Sequence, residues 1–345
     1  MECQSDQYVG REFYGVWGSF DVKIHIDRNY VLGGTGYLQN PEDVGFGYGG
    51  VKKVRLSKKE LRTWHFTADK VHDFAFAADP DYKHEQLQIE NGPLVHLLYD
   101  PKTANKSNWV EIQNEYLQRY FDFMAKHFGK YPYDQFSIIQ GGDGGMEYPM
   151  CTMMLGGGDG FEGFAGLFVH EATHNWYYGV IGTNEAAYPW MDEGFNSFVQ
   201  QVTEGYWEKE YPSRNSARRE RILDYMKSSR DQPIMTNTSL LREGGNNAYS
   251  KVTLALTVLR EAVLGMLPKN KLRKARARRL RIFAGAEHDF EGAELETLEP
   301  PPRNVKPRVP LLDLPDGFAP VNAEAYNKKM RLYGLKEFPV GASPK

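Results

Sequence analysis

Two histidines four residues apart, with a glutamate between them, are the residues best placed to do chemistry in this chain. Residues 169–174 read VHEATH, and eighteen residues separate His174 from a second glutamate, Glu193. On a helix, residues four apart lie on the same face, so both imidazoles can reach one ion. Two histidines and one carboxylate leave the fourth position of a tetrahedral zinc ion open, which is typical of hydrolytic rather than structural sites.

The residues around this pattern favour a half-buried metal site over a surface helix. Glu171 follows His170 directly, so it points beside the metal, where a general base belongs. Two imidazoles and one carboxylate favour zinc, with cobalt and manganese as alternatives. The flanking residues are apolar, as expected of a buried helix: Phe164, Leu167, Phe168, Val169 and Trp176.

The pattern H-E-x-x-H, eighteen residues, E resembles that of the aminopeptidase N-like gluzincins, a family of zinc metallopeptidases. Residues 144–149 read GGMEYP, which is similar to the family's G-x-M-E-N exopeptidase motif. Asn175-Trp176 and a tyrosine at the start of an apolar helix, Tyr249, also match. The resemblance covers roughly residues 8–265 and lacks the first half of the family's N-terminal β domain. Tyr148 replaces the usual asparagine, which leaves the shape of the first substrate pocket open.

The resemblance implies a role for each matching residue at the metal. His170, His174 and Glu193 would hold one zinc ion. Glu171 would be the general base. The hydroxyl of Tyr249 would donate to the developing oxyanion, a contact whose loss typically costs about 3 kcal/mol of transition-state stabilisation.

The GGMEYP block would bind the substrate. The resemblance implies that Glu147 binds the free α-ammonium group, which selects for action one residue from the chain end. Gly144 and Gly145, with Met146, would bring the strand backbone close to the substrate main chain. An edge strand bordering the zinc helix is where an extended peptide could add itself to a sheet.

The periodicities and the resemblance together predict an α+β fold. An antiparallel β-domain remnant would be followed by a thermolysin-like, mainly α catalytic domain with a small sheet. The predicted domains are 1–100, 101–267 and an atypical basic and proline-rich segment, 268–345. Strands are predicted at 22–26, 73–77, 87–89, 95–99 and 136–139, and helical segments at 111–128, within 206–231 and at 249–264.

Composition gives no positive indication of a nucleic-acid or membrane partner. A net charge of −3 and 25% charged residues do not point to nucleic acid or to anionic membranes. No run of eighteen apolar residues is present, and the polar, acidic N-terminus predicts no signal peptide. Cys3 and Cys151 show no pairing pattern. Relatives with the GGMEYP variant are often exported bacterial proteins, so the compartment stays open.

The C-terminal segment differs in character from the rest. Residues 269–281 contain eight lysines and arginines in thirteen positions, followed by an acidic stretch at 287–299 and prolines up to Pro320. We interpret this as a solvated helix or a poorly ordered tail rather than a nucleic-acid or membrane patch. A shifted reading frame or a truncated gene is also compatible.

The predicted function is a zinc aminopeptidase acting on peptides with a free N-terminus. A thermolysin-like endopeptidase is the nearest alternative, since it differs only in the role of Glu147. A third possibility is a catalytically crippled fragment that acts as a binding or scaffold protein, because parts of the family's β and helical domains have no counterpart. The oligomeric state stays open.

Overall fold

The computed structural model describes residues 14–54, 61–142, 144–155, 160–207, 212–266 and 323–332. The chain divides into two compact units, residues 1–284 and 285–345. All residues of the predicted site belong to the first unit. The predicted C-terminal segment lies outside the described residues except for a helix at 323–332, which belongs to the second unit.

Alternating hydrophobicity builds the first β region. One face of a long strand is buried through Trp64, Phe66 and Ala68, each at most 1% exposed. The prediction of a strand at 22–26 is confirmed, whereas the strand predicted at 73–77 begins only at Phe76. The antiparallel strands pair in the orders β1-β4-β3 and β2-β5: β1 (Gly18–Asp27), β2 (Val31–Gly34), β3 (Tyr37–Leu38), β4 (Leu61–Val71) and β5 (Phe76–Asp79).

A second, mixed sheet has the order β6-β7-β8-β9. Its strands are β6 (Lys83–Gln88), β7 (Leu94–Tyr99), β8 (Gln135–Gly141) and β9 (Cys151–Leu155). The prediction that the β strands before residue 100 are antiparallel is wrong for β7, because β7 pairs in parallel with β8. Strand β7 is apolar on both faces, and parallel strands covered on both sides have that composition. The division at residue 100 stays a prediction, and it would cut this sheet.

Helices cover the mixed sheet and carry the site residues. The predicted helix at 111–128 is confirmed with one interruption, a distorted turn at Ile112–Tyr116 where Glu115 has a φ of 63°. Two π-helical turns carry residues of the predicted site. We call Trp190–Gly194, which precedes α5, the Glu193 turn, and Gly245–Lys251, which precedes α7, the Tyr249 turn. The helices are α1 (Pro41–Val44), α2 (Lys106–Glu111), α3 (Leu117–His127), α4 (Phe161–Ile181), α5 (Phe195–Trp207), α6 (Pro212–Met226), α7 (Val252–Met266) and α8 (Ala323–Leu332).

The largest described hydrophobic core holds α4 in place. The Tyr120 ring on α3 meets Phe168 of α4 at 4.9 Å, and burial of such a side chain stabilises the fold by about 1.5–3 kcal/mol. Trp176 Nε1 donates to the carbonyl oxygen of Gly129 at 2.9 Å. His72 is buried, and its Nε2 atom contacts the carbonyl oxygen of Tyr178 at 2.8 Å. Helix α4 is therefore fixed from the sheet side and from the first β region.

The fold is α+β, as the sequence predicted. Strands dominate residues 18–99, and helices dominate the described residues from 161 onward. Among the described helices, none combines the length and the apolar character needed to cross a membrane.

Candidate metal centre

Helix α4 presents both histidines of the VHEATH stretch to one point. His170 and His174 lie one turn apart, and their Nε2 atoms are 3.3 Å from each other. His174 is fully buried and His170 is partly buried. The helix continues past them to Ile181 and ends at Gly182, whose φ of 66° forms a left-handed cap. The histidines therefore lie in the well-ordered interior of a long helix.

Glu193 completes a triangle of donor atoms. Its Oε2 atom lies 3.4 Å from His170 Nε2 and 3.5 Å from His174 Nε2. Donors bound to zinc at about 2.1 Å in a tetrahedron are separated by about 3.4 Å, so all three separations match the edges of such a tetrahedron. Glu193 is 3% exposed, and Oε2 is buried without a hydrogen bond of good geometry. A divalent cation would satisfy this otherwise unsatisfied oxygen.

The electrostatics of the cluster favour a cation. Burial alone lowers the pKa of His174, but the carboxylates of Asp192, Glu193 and Glu147 raise it well above its ordinary value. Burial alone raises the pKa of Glu193, and the facing imidazoles of His174 and His170 lower it. A negative potential that draws a proton to the imidazole also draws a metal ion.

Two further side chains orient the imidazoles. Asp192 Oδ2 lies 2.7 Å from His174 Nδ1, and Gln200 Oε1 lies 3.0 Å from His170 Nδ1. These contacts at Nδ1 hold each ring in an orientation in which its Nε2 faces the centre of the triangle. The amide of Gln200 is held in turn, because its Nε2 donates to the carbonyl oxygen of Gly166 at 3.1 Å.

Sequence reasoning missed both orienting residues, although signals were present. Asp192 directly precedes a predicted ligand, and it is fully buried. Gln200 lies seven residues after Glu193, which is two helical turns, so it falls on the same face of α5.

Glu171 lies beside the triangle. It is 5% exposed, and burial raises the pKa of its carboxyl group, an effect that the neighbouring histidines oppose. A Cβ atom added to Gly145 would come within 2.0 Å of Glu171 Oε1. The carboxylate therefore faces the backbone of the GGMEYP block, as a base acting on a peptide bound there would have to.

The GGMEYP block extends the mixed sheet. Met146 forms an antiparallel bridge with Met153 of β9, through N–O contacts of 3.1 and 2.8 Å. Gly144 has a φ of 136°, which favours glycine. The edge strand beside this block is β9, whereas β8, the strand that leads into it, lies inside the sheet.

The Glu147 side chain joins the metal cluster. It is 3% exposed, and one oxygen each of Glu147, Asp192 and Glu193 lies within 4.8 Å of the others and of a His174 nitrogen. Three buried carboxylates in one place are costly unless cations compensate them. Histidines bind a metal ion as neutral rings. A single dication therefore leaves one of the three negative charges uncompensated, and a further positive charge could bind here.

Tyr249 lies beside two of the predicted ligands. Its hydroxyl donates to Glu193 Oε1, and its ring lies 6.0 Å from that of His170 in a stacked arrangement. The structure thus brings together the metal-site residues predicted from the sequence, with Glu147 and Tyr249 beside them. Their roles stay predictions.

Solved structures that share this fold include zinc metallopeptidases of the M1 type. One is a mutant from Deinococcus radiodurans bound to a Tyr-Ser-Ala substrate, with 14% identity and a TM-score of 0.53. Two-domain M1 mutants bound to L-tryptophan and to L-arginine show 15% and 16% identity, each with a TM-score of 0.51. Each comparison covers 71% of this chain and 52% of the other. At this identity the similarity establishes a shared fold, and this chain spans about half the length of those proteins.

A second similarity concerns the C-terminal part of the chain. Residues 226–289 match the family model of ribosomal protein L13. The large ribosomal subunit protein uL13 of Clostridioides difficile is 56% identical over 41 residues, which are 12% of this chain and 29% of that protein. The uL13 protein of Geobacter sulfurreducens is 45% identical over 42 residues, with the same coverage. Sequence analysis did not recognise this similarity in the basic segment.

Proposed function

We propose that this chain is a zinc-dependent peptidase that removes single residues from the N-terminus of peptides. The observation that carries the proposal is the triangle of His170, His174 and Glu193, whose donor atoms have tetrahedral-edge spacing around an unsatisfied carboxylate oxygen. The shared fold with M1 zinc metallopeptidases supports it.

His170, His174 and Glu193 would hold the zinc ion, which would supply a Lewis acid for the scissile carbonyl and for water. Glu171 accepts the proton of the attacking water and passes it to the leaving amine, a task suited to a buried carboxylate whose pKa is raised. The Tyr249 hydroxyl donates to the oxyanion, which requires it to turn from Glu193 toward the substrate.

Selection for the chain end is assigned to Glu147. Its carboxylate lies in the same buried cluster as Asp192 and Glu193, where a substrate ammonium group would balance the charge that the dication leaves over. The backbone of Gly145, whose neighbour Met146 is paired with β9, would align the substrate main chain.

Blocked substrates test this proposal against an endopeptidase. Aminoacyl-anilides with free amines should be hydrolysed, and their N-acetylated counterparts should not. Glu147→Gln should raise KM for the free amine while zinc content stays at one per chain. Equal cleavage of free and acetylated substrates would establish an endopeptidase. Zinc binding without cleavage of either would favour the binding or scaffold alternative.

A second candidate function, RNA binding, is favoured by the similarity of residues 226–289 to ribosomal protein L13. Eight lysines and arginines at 269–281 would neutralise phosphates, and such binding weakens steeply with salt. The solvated-tail interpretation stays the alternative for that stretch.

Charge reversal within the basic stretch tests RNA binding. Combining Arg276→Glu with Arg278→Glu should weaken binding to a structured RNA and reduce its salt dependence. A matched double change at exposed Lys52 and Lys53, both to glutamate, should leave binding unchanged. Equal effects of the two pairs would indicate general charge attraction and reject a dedicated RNA-binding stretch.

A further inference from the structure

The Tyr249 turn is held between two contacts that the proposed reaction does not itself require. One contact is made with the Glu193 turn and the other with the loop at 231–233. The turn is π-helical, a rare geometry that is frequently found at functional sites. Its conformation therefore depends on what surrounds it.

The inner contact is a close approach at Gly194. A Cβ atom there would lie 2.8 Å from the carbonyl oxygen of Ala248 and 2.5 Å from Val252 Cβ. Neither atom belongs to a flexible side-chain end, so only glycine allows the two turns this proximity. Because Gly194 follows Glu193 and Ala248 precedes Tyr249, this contact sets the distance between the ligand carboxylate and the phenol.

The outer contact is a buried lysine. Lys251 is 8% exposed, and its Nζ donates to Asp231 Oδ1 and to the carbonyl oxygen of Gln232, both at 2.7 Å. Asn247, fully buried, donates to the carbonyl oxygens of Gln232 and Pro233 at 3.1 Å. Residues two apart on a helix point to nearly opposite sides, so Lys251 anchors the side of the turn that faces away from Tyr249.

We infer that Lys251 is a positioning residue, which through its ion pair with Asp231 holds the Tyr249 hydroxyl at the metal centre. This inference rests on the proposed peptidase function. A lysine used only for stability would not need burial beside an oxyanion donor, because buried ion pairs contribute little net stability compared with apolar residues. Misplacing a catalytic group by about 1 Å can cost about 100-fold in rate.

A double-mutant cycle separates positioning from stability. In the full-length, zinc-loaded protein, Lys251→Met should lower kcat about 10- to 100-fold with KM and zinc content unchanged. On a Tyr249→Phe background the same change should have no further effect on kcat, because the hydroxyl is already gone. Lys251→Arg, which keeps the ion pair, should retain most of the wild-type kcat.

Two controls keep the test decisive. Arg219→Met breaks an exposed ion pair with Glu261 between α6 and α7 and should leave kcat unchanged. Asp231→Asn weakens the same buried pair from the other side and serves if Lys251→Met does not fold. An unchanged kcat, or an equal loss on both Tyr249 backgrounds, would overturn the inference.

A spectroscopic measurement distinguishes failure of this inference from failure of the proposed function. With fluorotyrosine incorporated, the ¹⁹F resonance of residue 249 is identified by its disappearance in Tyr249→Phe. Lys251→Met should shift this resonance and Arg219→Met should not, whether or not the protein hydrolyses peptides. An unshifted resonance in Lys251→Met would overturn positioning even if the peptidase is active.

Discussion

Two pairs of histidines meet side by side in this protein, and their surroundings give them opposite chemistry. His170 and His174 face carboxylates, and the pKa of His174 is raised well above its ordinary value. His84 and His96 are also adjacent, with Nε2 and Nδ1 2.9 Å apart, but burial lowers their pKa values to about 4 and about 3. Proximity of imidazoles alone therefore does not make a metal site.

The second pair is internally satisfied. His84 Nδ1 donates to the carbonyl oxygen of Phe46 at 3.0 Å, and His84 Nε2 accepts from His96 Nδ1. Both rings stack on Tyr48, at 3.9 and 5.1 Å. Neutral rings fit this apolar, aromatic site, whereas the first pair lies among buried carboxylates that attract a cation.

Removing one histidine from each pair should reveal the largest difference between the two pairs. His174→Ala should reduce bound zinc from one per chain to none and abolish hydrolysis, because two ligands hold zinc poorly. His96→Ala should keep the zinc and lower the free energy of unfolding, since His84 loses its donor. Metal analysis of both variants checks this. Equal zinc content in His174→Ala and wild type would contradict the ligand assignment.

The glutamate between the first histidines should separate metal binding from chemistry. Glu171→Gln should keep zinc at one per chain and lower kcat by about 10²–10⁴-fold, the usual contribution of a positioned general base. Steady-state kinetics on zinc-loaded protein measures the loss. A variant that loses its zinc as well would place Glu171 among the ligands instead of beside them.

The orienting carboxylate should tune metal affinity in a graded way. Asp192→Leu should weaken zinc binding about 10- to 100-fold, because His174 Nδ1 loses its acceptor. Asp192→Asn should weaken it less, since an amide oxygen still accepts the hydrogen bond. Competition with a chelator of known affinity measures both constants. Identical affinities in the three proteins would show that Asp192 does not orient the ligand.

The His84–His96 pair should have the smallest effect, which is a loss of folding stability at acid pH. Burial holds the folded-state pKa values of His84 and His96 below 6.5, so the unfolded chain binds more protons between pH 6.5 and about 4. Stability is therefore complete above pH 6.5 and falls as pH falls, by at most about 1.4 kcal/mol per pH unit for each group.

Urea unfolding between pH 7 and pH 5 measures this dependence. His96→Gln should flatten it, because an amide keeps a donor but does not titrate. A wild-type curve that is level from pH 7 to pH 5 would contradict the assignment of two buried neutral rings.

The first pair was predictable from sequence and the second was not. His170 and His174 are linked by helical spacing, and Glu193 by a recognisable distance along the chain. His84 and His96 meet only because β6 and β7 form an antiparallel pair whose register places His96 opposite Gln86. No local pattern in the sequence specifies that register.

The same distinction between local spacing and long-range pairing explains which other features could be predicted from the sequence. The α+β class follows from periodicity and resemblance, and the role that the resemblance implied for Tyr249 stays a prediction. The parallel pairing of β7 with β8 depends on a long connection through α2 and α3, so it was missed. Asp192 and Gln200 contact the histidines away from the triangle, so only their positions relative to Glu193 could have indicated them.

Locating the metal tests the central claim most directly. Crystals of the zinc-loaded protein, measured at the zinc absorption edge, should show one anomalous peak about 2.0–2.2 Å from His170 Nε2, His174 Nε2 and Glu193 Oε2. A zinc ion bound elsewhere, or no peak at this triangle in well-ordered, zinc-soaked crystals, would contradict the account.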